Sequence, residues 1–129
     1  MVSNQRSHFL NQLKIGSSKR QLYFDTKISS SVKPLAYLLQ NLNMLRRFHK
    51  LNNGLYRVFP TYSRYRKSPR TMSLYARVNG RIRLSLRSLR LLNFNSPHSY
   101  YVLETSKGLM THKEALKARQ GGLLLLIIR

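Results

Sequence analysis

Thr105, Ser106 and Lys107, followed by Gly108 and Thr111, are the residues whose types and spacing best suit chemistry. Two hydroxyls and an ammonium on a tight loop suit sugar and phosphate oxygens, because hydroxyls donate and accept while lysine brings a point charge. They make a poor catalytic centre, since Ser106 has no recognisable base partner. The acids number three, Asp25, Glu104 and Glu114. With Glu114 read as a helix cap and Asp25 as a turn residue, no paired-carboxylate site is left. His8, His49, His98 and His112 share no metal-ligand spacing and read as residues facing solvent or a partner. No G-x-x-x-x-G-K loop cradles a nucleotide. The expectation is a protein with no enzyme activity, no cofactor or metal, and no small-molecule substrate.

Charge points to the partner. Lys and Arg number 24, for a net charge of +21 over 129 residues. Such a surface repels itself unless a polyanion neutralises it, and surfaces that merely solubilise mix both signs. Nucleic acid is therefore expected over an anionic membrane surface. No stretch approaches the ~20 apolar residues of a spanning helix, and the best apolar helix, Leu35 to Leu45, lacks the basic face of a membrane-surface helix. Cysteine is absent, which fits a reducing compartment. The N-terminus has no secretory core, so a cleaved targeting peptide is expected to be absent or already removed.

The elements that must position these groups follow from hydrophobic period. Phe9, Leu10 and Leu13 predict a helix from about Gln5 to Ile15, stopped by Gly16-Ser17-Ser18. Leu22 to Phe24 reads as a short strand. Ser29-Ser30-Ser31 reads as an N-cap cluster with Pro34 in the first turn, and the same helix end offers hydroxyls and free N–H groups to an anion. Leu35, Leu38, Leu39, Leu42 and Leu45 form the strongest helical stripe, read as core. From Phe48 the period becomes two. Asn52-Asn53-Gly54 signals a hairpin, and Asn79-Gly80 a second one joining Met72–Val78 to Ile82–Leu86, with one oily and one basic face. Leu89 to Leu92 suggests a helical turn. Tyr101 to Leu103 predicts a buried strand that delivers the chain to Thr105. Gly108 permits the turn, and Thr111 with Glu114 has capping-box spacing for a helix from His112 to about Arg119. Gly121-Gly122 ends that helix, and Leu123 to Ile128 closes the sheet. The class is α+β: an N-terminal α-β-α-β-β lobe (residues 1–60), a basic connecting loop (61–71) rich in tyrosine, and a β-rich C-terminal lobe with a short helix (72–129), the lobes packed together.

These motifs bring a family into view. Thr105-Ser106-Lys107-Gly108-Leu109-Met110-Thr111, then Glu114-Ala115, then Gly121-Gly122 before an apolar strand, resembles the C-terminal signature of the small-subunit ribosomal protein S8 family, in its bacterial and organellar form. Phe9 to Lys14 with Gly16 resembles its opening, Ser29 to Lys33 its P-S-S-K-x-K segment, and Gly80-Arg81-Ile82-Arg83 its central G-L-R. The resemblance spans the chain and is weakest between Leu51 and Thr71. It implies a structural protein that binds the central domain of small-subunit ribosomal RNA early in assembly and touches neighbouring ribosomal proteins. The implied main contact is the loop Thr105-Ser106-Lys107-Gly108, with Thr111 a further RNA-binding residue beside it. Ser29, Ser30, Ser31 and Lys33 make the second, with Asn11, Lys14, Arg81 and Arg83 as further RNA-facing residues.

Departures from the family pattern carry information. Glu104 stands where the family has the first loop serine, Leu123 replaces a Glu after Gly-Gly, Ser31 a Lys, and Ile28 a Pro. With the high charge, such drift suggests a diverged organellar ribosome, mitochondrial before plastid. The alternative is a free-standing basic RNA-binding factor, an assembly chaperone or mRNA regulator.

Overall fold

The computed structural model describes residues 2–61, 72–74 and 82–128, and the chain is α+β. It forms two compact units, Met1–Pro69 and Arg70–Arg129.

In the first unit the order is α1 (Val2–Ser18), β1 (Phe24–Thr26), α2 (Lys33–Asn41), β2 (Leu45–Lys50) and β3 (Tyr56–Pro60). The strands make an antiparallel sheet in the order β1-β3-β2. Both helices contribute to the core: Phe9, Leu10 and Leu13 from α1, Leu35, Ala36 and Leu39 from α2, closed by Leu45 and Val58. Burying each of the Phe, Leu and Val side chains favours folding by about 1.5–3 kcal/mol, so the helical stripes, not local propensity, fix α1 and α2 here. A bulge between Leu45 and Arg47 lets Leu45 face the core opposite Pro60 while Arg47 sits opposite Phe59 on the other face.

In the second unit β4 (Met72–Leu74) and β5 (Arg83–Leu84) precede α3 (Leu86–Asn95), β6 (Tyr100–Thr105), β7 (Gly108–Thr111), α4 (His112–Lys117) and β8 (Gly122–Ile128). β8 is the spine. β6 pairs along one edge from Tyr100↔Ile128 to Glu104↔Leu123, while β4 and β5 lie end to end along the other. Leu124 to Ile128 are buried in succession, which is why this strand is apolar throughout instead of alternating. α3 and α4 cover one face through Leu89 and Ala115, packed on Tyr101, Leu103, Leu124 and Ile127.

Several expectations are corrected. α1 runs through Gly16 and ends later, at a left-handed Arg20 (φ 53°) with the Gln21 N–H on the Gly16 carbonyl. Strand β1 starts at Phe24, leaving Leu22 and Tyr23 exposed. Asp25 is therefore a strand residue, not a turn residue, held by Arg57. The serines do not cap α2: Val32 is the N-cap, without a side-chain bond. The leucine stripe outlasts its helix, since Leu42 is the C-cap and Leu45 already belongs to β2. Within the described residues, β4 and β5 pair with β8 and not with each other, and Leu86 begins a helix. The Asn79-Gly80 turn, Arg81 and the 62–71 stretch lie outside the described residues. The turn expected at Leu89–Leu92 is the ten-residue α3, capped by Ser85, whose Oγ accepts from the Ser88 N–H. Gly121-Gly122 does not stop α4, because Arg119 (φ 54°) already does, with the Gln120 N–H on the Ala115 carbonyl.

Candidate nucleic-acid interface

Between β6 and α4 the sequence predicts a loop and a helix start. A strand intervenes. β6 and β7 form a hairpin in which Thr105 pairs with Gly108, so Ser106 and Lys107 are the two residues at its tip. Gly108 has φ +110° with open space around it, a conformation a side chain resists for backbone reasons alone. The Thr105 hydroxyl donates to the Gly108 carbonyl at 2.9 Å and accepts from the Lys107 N–H at 3.2 Å. It is a strut of the turn. Ser106 donates to Gln120 Oε1 at 3.1 Å, which ties the tip to the segment after α4, and Lys107 is exposed.

Thr111 is buried and spends its hydroxyl on the Glu114 N–H, capping α4 as its spacing predicts. It ends β7 at the base of the hairpin and is not on the surface. The adjoining His112 corrects another expectation, because it is fully buried and edge-on to Tyr101 with ring centroids 5.3 Å apart. Its Nδ1 accepts from the Tyr101 N–H at 3.2 Å, so Nε2 carries the proton and donates to Asn93 Oδ1 at 3.3 Å. Burial, with the Lys113 charge beside it, lowers the His112 pKa. A neutral, fully bonded imidazole thus pins α3 and α4 to β6 beneath the hairpin.

The hairpin's placement on the sheet depends on a second backbone constraint. A Cβ on Gly122 would lie 2.7 Å from the Glu104 carbonyl oxygen and 2.9 Å from Thr105 Cγ2. Only glycine lets β8 approach the last residues of β6 this closely. Arg83 is exposed on β5, in register with Leu123 and hence with Glu104 across the sheet. Arg83, Ser85, Ser88 and Gly121 line an open cleft of about 470 Å³ at the start of α3.

The second predicted cluster lies in the first unit. Ser29 and Ser31 donate to Gln5 Oε1 at 2.9 and 3.0 Å, and their hydroxyl oxygens lie 2.9 Å apart. They lash the β1–α2 connection to α1, leaving Ser30 and Lys33 exposed. Asn11 and Lys14 are not brought to this cluster: at about 100° per residue, Lys14 is half a turn round α1 from Gln5. An open cleft of about 710 Å³, lined by Gln5, His8, Gln12, Thr26, Lys27 and Ser29 among others, adjoins the serines. Sequence reading missed it, because only the fold joins α1 to the residues after β1.

Among the described residues no group of histidines and acids is placed to hold a metal ion, and no helix is long and apolar enough to cross a membrane. The family model described as "Ribosomal protein S8" matches residues 5–128. No curated protein matches the chain.

Proposed function

This chain belongs to the ribosomal protein S8 family, a family of structural, non-enzymatic small-subunit proteins that bind ribosomal RNA, and we propose that it braces the central domain of that RNA through the tip of the β6–β7 hairpin. The observation that carries this reading is the tip itself. Lys107 and Ser106 project from a turn fixed by Thr105 and Gly108, so the fold presents an exposed ammonium beside a hydroxyl that Gln120 already orients. Phosphate takes the charge, and the hydroxyl meets the sugar edge in the wide minor groove of an A-form helix. The Ser30–Lys33 surface makes a second contact, and the ribosome is mitochondrial, a reading supported by the charge of +21 and by the departures at Glu104 and Leu123.

Binding to separately transcribed domains of small-subunit RNA tests this. The parent chain is expected to prefer the central domain, and Lys107→Ala to weaken that complex and flatten its salt dependence by about 0.9 in log–log slope. Equal affinity for all domains, or an unchanged slope, rejects the assignment. Co-sedimentation with mitochondrial small subunits at moderate salt separates a resident component from a factor that washes off.

A further inference from the structure

The β1-β3-β2 sheet has two faces, and only one is used by the core. Val58, Pro60, Leu45 and Thr26 point inward and are buried. The register places Asp25 beside Arg57, Arg57 beside His49, and Phe59 beside Arg47 on the opposite face. Tyr23, just before β1, joins them, its ring centroid 6.0 Å from that of Phe59. The Arg47 guanidinium stands 4.6 Å from the Phe59 centroid, and the Arg57 guanidinium 4.2 Å from that of Tyr23. Arg57 is also gripped by Asp25, Nε to Oδ1 at 2.9 Å and Nη2 to Oδ2 at 3.3 Å. Tyr23 remains 44% exposed, and Arg47 and His49 are exposed.

We infer that this outer face is a further RNA-binding surface, one that takes unpaired nucleotides, with a base against Tyr23 and phosphate on Arg47. The inference rests on reading the chain as an RNA-binding protein. Charge complementarity selects the occupant, since the single acid on this face is neutralised by Arg57, which leaves Arg47 and His49 facing outward. A guanidinium laid over a ring keeps its N–H edge available, so stacking on Phe59 orients Arg47 for phosphate without consuming its donors. An exposed ring such as Tyr23 selects unpaired over duplex RNA, because only splayed bases present a π-face. Arg57, held by Asp25 and Tyr23, is the positioning residue.

The test uses the whole chain with two probes, a short oligouridine and an RNA duplex of equal length. Tyr23→Ala is expected to weaken oligouridine binding about tenfold and to leave duplex binding within about twofold, while Tyr23→Phe keeps the parent affinity. Arg47→Ala, should Tyr23→Ala fail to fold, is expected to reduce the oligouridine salt slope by about 0.7. Loss of both probes alike, loss of neither, or displacement of oligouridine by poly-glutamate at matched charge overturns the inference, the last outcome pointing to an acidic protein segment. Duplex binding that depends on Lys107 but coexists with unchanged oligouridine binding by the Tyr23 variant sinks this surface alone. A parent chain that binds neither RNA sinks the functional reading as well.

Discussion

The two hydroxyl clusters that the sequence offers as RNA contacts, 105–108 and 29–31, look alike in composition and behave differently in the fold. At the hairpin the Thr105 hydroxyl is consumed in making the turn, and the Ser106 hydroxyl ties an exposed tip to Gln120. In the first unit two hydroxyls converge on one acceptor, Gln5 Oε1, and serve to tie a connection to α1. A hydroxyl count therefore does not separate recognition from scaffolding. What distinguishes the hairpin is backbone: a positive-φ glycine at its corner and a glycine in β8 that admits its base.

That distinction breaks most visibly at Gly122. Gly122→Val is expected to destabilise the chain by about 3 kcal/mol, the upper end of overpacking costs, because the new atoms meet backbone at 2.7 Å and not a yielding side chain. A urea melt checks it, and an unchanged midpoint would mean β8 and β6 can separate freely. Next comes Thr105→Val, which keeps the shape and deletes both hydrogen bonds of the strut. The expected cost is about 1–2 kcal/mol, with weaker RNA binding, and Thr105→Ser should restore both. Rescue of stability without rescue of binding would show that the threonine methyl touches RNA.

How much of this was legible follows from range. Leu103 and the α2 leucines announced themselves by their apolar pattern, and the hairpin turn at Asn52-Asn53-Gly54 by turn chemistry, because these signals act over a few residues. The end of α2 was misread since Leu42 and Leu45 keep a helical spacing by coincidence, with Leu45 claimed by β2 through its pairing with Pro60. β7 was missed for the opposite reason. Gly108 to Thr111 is too short to show alternation, and its strand character comes from pairing with β6. His112 read as a surface residue because the partners that satisfy it, the Tyr101 N–H and Asn93, lie 11 and 19 residues away. The stacked face of the first sheet is not legible in the sequence because five of its residues come from three strands and the sixth, Tyr23, from the residue before β1.

His112 gives a smaller, pH-dependent effect under the same hairpin. Its folded pKa lies below the ordinary value of 6.5, so the unfolded chain binds the proton more readily. The stabilisation is complete above 6.5 and fades as pH falls toward the folded pKa. An NMR titration should place the imidazole midpoint below 6.5, and the stability gap between the parent and His112→Gln should narrow from pH 7.5 to pH 5.5. A midpoint at or above 6.5 would mean the ring is not held neutral, and the pinning of α3 and α4 to β6 would need another explanation.

The smallest effect belongs to the serine cluster and bears most directly on the contrast drawn first. Ser29→Ala with Ser31→Ala removes two exposed bonds to Gln5, which should cost no more than about 1 kcal/mol in all. If the serines only tie the connection to α1, Gln5→Ala should reproduce the loss apart from the Ser29–Ser31 contact, and adding it to the double variant should change nothing further, because the double variant already lacks both bonds to Gln5. RNA affinity would then follow stability in each variant. A drop in affinity for small-subunit RNA with the serine variant, but not with Gln5→Ala of equal stability, would move these hydroxyls from scaffold to contact and make the two clusters alike after all.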